Sequence, residues 1–198
     1  ATPVLLLGTP ALPAADFDAM LAFARRAPGA VRWASSGIGT TGHLVQERVA
    51  AQAGVAITHV PYSGGGRQLT DALGGHFELL SSNVAGAQLR LVQEGRLAAL
   101  AVSGERRVAS LPQVPTLAEL GHAAANQVST FGLFAAGRTP PALVARLNEA
   151  VRTVLDARPL RARLAANDNT PLGGSAADFA GRIAAEHAGH RAWLARPR

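Results

Sequence analysis

Trp33-Ala34-Ser35-Ser36-Gly37-Ile38-Gly39-Thr40-Thr41-Gly42-His43 leaves an apolar run, turns through glycines and opens a stretch of helical period. A strand that passes through a tight turn straight into a helix is half of a βαβ unit, and glycine lets the backbone turn where a side chain would obstruct it. Outward from this segment the same rhythm repeats. Residues 4–7, 31–34, 56–60, 77–81 and 97–102 read as strands, and residues 16–26, 41–53, 67–73 and 85–94 as helices. Gly29, Gly54, Gly74-Gly75 and Gly95 follow the helical stretches as stops. The pattern specifies an α/β architecture with a mostly parallel sheet.

The stretch Leu111-Pro112-Gln113-Val114-Pro115-Thr116 breaks the rhythm, and Thr116 with Glu119 forms a capping box that predicts a short helix. Residues 128–135 read as one more strand. From Pro140-Pro141 onward the chain is helical over 141–156, 160–166 and 175–194, with proline at one helix start and Ser175 with Asp178 at another. Two regions follow, an α/β lobe over 1–129 and a mostly helical segment over 130–198, joined near Ser129.

Composition removes several function classes. No apolar run approaches the roughly 18 residues that a membrane-spanning helix needs. The absence of cysteine excludes disulfides, thiolate metal sites and a cysteine nucleophile. The net charge of +6 rests on arginine alone, and the arginines are scattered over separate elements without interleaved aromatics, so no nucleic-acid partner is expected. The start, Ala1-Thr2-Pro3-Val4, lacks the basic and long apolar segments of a signal peptide and reads as a strand.

Gly37, Gly39 and Gly42 match G-x-G-x-x-G, which raises an alternative, a fragment of an NAD(P)-dependent oxidoreductase. That fingerprint also needs an acid for the ribose at the end of the next strand, where this sequence has His59-Val60-Pro61-Tyr62. What the loop offers is hydroxyls, Ser35, Ser36, Thr40 and Thr41, beside backbone N–H groups at the positive end of a helix. Such a site suits a carboxylate, unless one hydroxyl merely caps the helix. The loop Val60-Pro61-Tyr62-Ser63-Gly64-Gly65-Gly66 and the segment Ser81-Ser82-Asn83 also follow strands and open on the same sheet edge. G-x-S-x-G and H-E-x-x-H are absent, and only His187 and His190 approach ligand spacing. No catalytic residue, metal or cofactor is expected.

The serine- and glycine-rich loop ending in Gly42-His43 is followed by further motifs in a fixed order. These are His59-Val60-Pro61-Tyr62, the run Leu97-Ala98-Ala99-Leu100-Ala101-Val102, Leu111-Pro112-Gln113-Val114-Pro115-Thr116, Phe131-Gly132-Leu133-Phe134 and Pro171-Leu172-Gly173-Gly174-Ser175. Together they resemble the Bug-type, TctC-like receptors of tripartite tricarboxylate transporters, over essentially the whole chain. The resemblance implies a periplasmic type II flytrap that closes on a small carboxylate or amino-acid ligand and hands it to membrane transporter subunits. It implies that 1–129 is the family's second lobe and 130–198 the C-terminal portion of an incomplete first lobe. By the same analogy residues Ser35, Ser36, Gly37, Ile38, Gly39, Thr40 and Thr41 grip the carboxylate, Tyr62, Gly64 and Gly65 shape the wall, Ser82 and Asn83 complete the pocket, and Ser129 lies near a hinge. Ser63 and Thr130 depart from the family, which often carries a basic residue and an aromatic there. An effector-sensing domain of a transcription regulator shares the two-lobed plan but requires a DNA-binding helix pair. Loss of first-lobe partners would expose Leu133, Phe134, Leu143 and Leu147 and favour self-association.

Overall fold

Leu5, Leu6 and Leu7 are fully buried, and because alternate side chains point to opposite faces of a strand, the strand that carries them must be covered on both sides. This is β1 (Thr2–Gly8). In the computed structural model, which describes residues 1–195, β1 lies inside an open sheet of order β3-β2-β4-β1-β5. β2 (Arg32–Ser35), β3 (Thr58–Pro61) and β4 (Leu79–Asn83) pair in parallel, with Trp33 opposite both His59 and Leu79. β1 pairs antiparallel with β4, with β5 (Ala98–Val102) and, through Thr2 and Pro3, with β6 (Val128–Ser129). The strands β2 to β5 therefore share one direction and β1 runs against them. The sheet is mixed rather than simply parallel, because the first strand threads between two later ones instead of beginning a right-handed crossover.

The face bearing Val4, Leu6 and Trp33 is covered by α1 (Phe17–Arg26) and α2 (Thr41–Ala53) through Phe17, Met20, Val45 and Val49. The face bearing Leu5, Leu7 and Ala34 packs against Ala72 of α3 (Gly65–Leu73), Leu89 and Leu91 of α4 (Gly86–Gln93) and the loop residues Val108, Leu111 and Val114. Each buried leucine of β1 contributes about 1.5–3 kcal/mol. Asp16 caps α1 by accepting from Ala19 N at 2.8 Å. The Thr116–Glu119 capping box forms, with Glu119 N donating to Thr116 Oγ1 at 3.1 Å and Thr116 N to Glu119 Oε2 at 2.7 Å. It closes a turn and a short 3-10 segment, Ala123–Ala125, rather than the expected α-helix, because Gly121 takes a φ of +82° one turn later.

The chain divides into two compact units, residues 1–131 with 165–170, and residues 132–164 with those from 171 onward. The second unit holds α5 (Pro141–Asp156), most of α6 (Arg158–Ala165) and α7 (Ala176–Leu194). Pro141 opens α5. Ser175 and Asp178 form the reciprocal box at the start of α7. No residue of these three helices is buried; the Phe134 and Phe179 rings meet at 5.5 Å and Asn148 Nδ2 reaches Gly174 O at 3.2 Å. The strand expected over 128–135 ends at Ser129, and residues 130–139 have no regular structure. Alternating apolar residues become a strand only beside a pairing partner, and among the described residues none runs beside this segment. No helix among them is long and apolar enough to cross a membrane.

Candidate functional site

Because β2, β3 and β4 are parallel, the loops that leave them emerge on one edge of the sheet, and each leads into a helix N-terminus, those of α2, α3 and α4. The first N–H groups of a helix lack partners within it. At Thr40, Gly64 and Ala85, the N-caps of these three helices, no side chain supplies one, whereas α1 and α7 are closed by Asp16 and Ser175. Three helix ends, each equivalent to roughly +0.5 charge, thus border one rim, and none is closed by the side chain of its own N-cap residue. Since β1 starts where β4 ends, Thr2 and its partner Ser129 join the same rim.

The 35–41 loop is built from within. Ser35 is fully buried, and its Oγ lies 3.0 Å from Gly37 O, 3.3 Å from Gly37 N and 2.8 Å from His59 Nε2. Thr40 Oγ1 donates to Gly37 O at 2.7 Å. These two hydroxyls hold the turn. Ser36 and Thr41 are half-buried and make no such bond to it, while Ile38 stands 77% exposed at the tip. Gly37 and Gly39 take φ of +150° and +76°, where a side chain is strained. Ser35 O accepts from Tyr62 N at 2.9 Å and Ser36 O from Gly64 N at 3.1 Å, so the first and second loops are tied by backbone bonds. Gly65 begins α3 with open space on its Cβ side.

The remaining residues divide. Tyr62 belongs to the rim by its backbone only: its hydroxyl donates to Asp71 Oδ2 at 2.8 Å on α3 and its ring meets Phe77 edge-on at 5.7 Å. Burial, reinforced by the Asp71 carboxylate, pushes its pKa up to about 12. Ser82 Oγ accepts from Gln88 Nε2 at 2.9 Å. Ser129 Oγ donates to Asn83 Oδ1 at 2.7 Å, which fixes the amide with its NH₂ group on the other side. The structure also brings residues to the rim that the sequence did not mark. Thr2 Oγ1 hydrogen-bonds Asn169 Oδ1, and Thr170 N donates to Ala1 O at 2.9 Å, drawing 165–170 alongside β1. The polar run Asn167-Asp168-Asn169-Thr170 was its one visible signal.

Ser35 Oγ and His59 Nε2 have the spacing of a nucleophile and its base, but a fully buried hydroxyl beneath a turn offers no approach to a substrate. No acid ends β3 to meet a ribose. No group of three or more His, Asp or Glu converges among the described residues. A hollow lined by Asp16, Phe17, Leu97, Gln113 and Val114 lies at the opposite end of β5, and there the Asp16 carboxylate is engaged as the cap of α1. What the rim presents chemically is backbone N–H groups, hydroxyls and an amide, groups of the kind that receive an anion.

Comparisons with known proteins bear on the family and the fold. The model of the tripartite tricarboxylate transporter family receptor matches residues 1–194. The "UPF0065 protein in gbd 5'region" of Cupriavidus necator is 38% identical over 151 residues, 76% of this chain and 45% of its own length. Protein BugT of Bordetella pertussis is 32% identical over 170 residues, 86% of this chain and 52% of its own. The chain thus spans about half the length of the curated relatives it matches. Among solved structures, R. palustris Rpa4515 with adipate superposes with a TM-score of 0.87 at 33% identity, covering 94% of this chain and 62% of that one. MatC from Rhodopseudomonas palustris with bound malate gives 0.72 at 30% identity, covering 82% and 55%. The fold is that of periplasmic binding proteins, represented in part. This chain belongs to the tripartite tricarboxylate transporter receptor family.

Proposed function

We propose that this chain supplies the ligand-gripping lobe of a periplasmic solute receptor that captures a small carboxylate-bearing ligand for a tripartite tricarboxylate transporter. The observation that carries the reading is the rim of three helix N-termini, α2, α3 and α4, none capped by a side chain. A carboxylate placed there satisfies N–H groups that the protein leaves uncapped and meets the positive helix ends. Thr41, Ser36 and the Asn83 amide then orient it, while Ser35 and Thr40 keep the turn in shape. Similar structures hold adipate and malate, both dicarboxylates, and the same rim accepts the carboxylate of an amino acid. Residues 1–129 act as the second lobe and 130–198 as part of the first, with membrane transporter subunits as the receiving partner. The role is binding without chemistry.

The test is calorimetric titration and thermal shift with adipate, malate, amino acids and NAD(H). A ligand at about a hundredfold excess over Kd stabilises the native state by about 2.7 kcal/mol. A dicarboxylate should raise Tm, and Thr40→Asp, which puts a carboxylate of the protein itself at the N-cap of α2, should abolish that rise. A shift with NAD(H) alone would overturn the reading.

A further inference from the structure

We propose that the stacked imidazoles of His43 and His59 are positioning residues that hold the 35–41 turn in its anion-receptive form only while both rings are neutral, so that protonation releases the turn. This deepens the carboxylate-rim reading and rests on it for the consequence to capture. His59 lies opposite Trp33 on β3, on the face shared by Ser35 and covered by α2. Its ring stacks on that of His43 with centroids 3.9 Å apart and planes 17° from parallel. From this stack two hydrogen bonds reach the turn, His59 Nε2 to Ser35 Oγ at 2.8 Å and Gly39 N–H to His43 Nδ1 at 3.1 Å. Thr40 closes the turn through its hydroxyl and N–H, both donating to Gly37 O, but the tip between them is otherwise open. Gly39 has nothing within 4 Å of its Cβ position, and Ile38 is exposed.

The Gly39 bond fixes the chemistry. A ring nitrogen that accepts carries no proton, so His43 is the Nε2–H tautomer, with Nε2 3.7 Å from Glu47 Oε1. A proton on Nδ1 replaces the acceptor of Gly39 N–H with a second donor. It also places a cation in the first turn of α2, against the positive end of the helix, and a second proton sets two cations face to face at 3.9 Å. The groups that face the pair are Ser35 from β2, which is neutral, and Glu47 from α2, whose carboxylate favours the charged form but stands one-third exposed. Burial first, then the neighbouring His43 ring, holds the pKa of His59 below the usual imidazole range, with Glu47 opposing.

Binding that requires a neutral ring loses up to about tenfold in affinity for each pH unit below that ring's pKa, so affinity should fall between pH 7.5 and 5.5. Added positive charge acting alone would instead strengthen anion binding, so the sign of the pH dependence separates the two effects. The test follows the ring nitrogens of His43 and His59 and the amides of Gly37, Gly39 and Thr40 by NMR on the ligand-free chain between those pH values. The same measurement is made on the His43→Asn/His59→Gln variant, whose Asn oxygen replaces the acceptor Nδ1 and whose Gln amide replaces Nε2 toward Ser35, and neither titrates. Expected is an unprotonated His43 Nδ1 at pH 7.5, and a protection factor at Gly39, the exchange rate taken relative to the intrinsic rate at each pH, that falls about tenfold with ring protonation in the parent and stays flat in the variant. A protonated Nδ1 at pH 7.5, or turn amides indifferent to ring titration, overturns the proposal. Glutarate titrations at both pH values should show affinity falling in the parent only; affinity rising as pH drops also overturns it. A turn that follows the rings in a chain that binds no carboxylate supports the positioning role and removes the carboxylate reading.

Discussion

Gly42 sits where α2 crosses β4, and a Cβ there would overlap Ser81 Oγ and lie 3.0 Å from Ser81 Cβ. Gly42→Ala should therefore cost about 1–3 kcal/mol in urea denaturation, although alanine is the better helix former, and Ser81→Ala in the same chain should restore only part of it because the Cβ contact remains. Tyr62→Phe removes the donor to a partly exposed Asp71 and should lower stability by about 1 kcal/mol, with no change in carboxylate affinity, since the hydroxyl does not reach the rim. The sequence made the 35–41 segment legible as a glycine turn into a helix, because spacing alone carries that information. Which hydroxyls are buried was not legible. Ser35 and Ser36 are adjacent and chemically alike, and only the pleat decides that the first is buried against His59.

The helix starts were the readable elements, since a capping residue is local chemistry. Ser175 with Asp178 marked α7 correctly, and Ser175→Ala should destabilise the second unit by about 1 kcal/mol in thermal melts that report on its helices. Thr40→Asp adds the side-chain cap that α2 lacks but forfeits the Thr40 Oγ1 bond to Gly37 O. The two effects oppose one another, so stability should change by less than about 1 kcal/mol while ligand binding is lost. The shared direction of β2 to β5 was readable, but the reversed direction of β1 was not. Four apolar residues at 4–7 announce a buried strand, but periodicity says nothing about which neighbours flank it or which way they run. The apolar alternation after Ser129 misled for a related reason, as a strand is a property of two segments and only one was visible.

For the whole molecule, acid should act in two stages. His59 and His122 are both held below the usual imidazole pKa, foremost by burial. The unfolded chain takes up these protons near pH ~6.5 while the fold refuses them, so stability is complete above that value and declines as pH falls below it. Burial pushes Glu78 up, but the hydrogen bonds and charge of Arg32 outweigh it and leave the carboxyl lowered. Its contribution is present above about pH 4.3 and is lost as pH falls through the folded value. Urea midpoints at pH 7.5, 5.5 and 3.5 should step down twice, and Arg32→Gln should shrink the second step. In the second unit and the segment before it, Leu133, Phe134 and Phe131 are 79%, 76% and 67% exposed. Apolar surface of that kind favours self-association, so sedimentation should show a concentration-dependent average mass, and a monomer at all concentrations would refute it.

The central place of β1 sets a timetable for folding. Val4 pairs with Asn83, Leu5 with Val102 and Thr2 with Ser129, so β1 leaves the ribosome well before the strands it pairs with. At about 5–20 residues per second, its leucine run waits several seconds for β4 and β5 to be synthesised. Contacts of such long sequence separation also slow folding. The same strand that anchors both hydrophobic layers in the finished protein is, during synthesis, a sticky β-prone peptide, and a nascent chain of this protein should depend on a holding chaperone until residues 98–102 emerge.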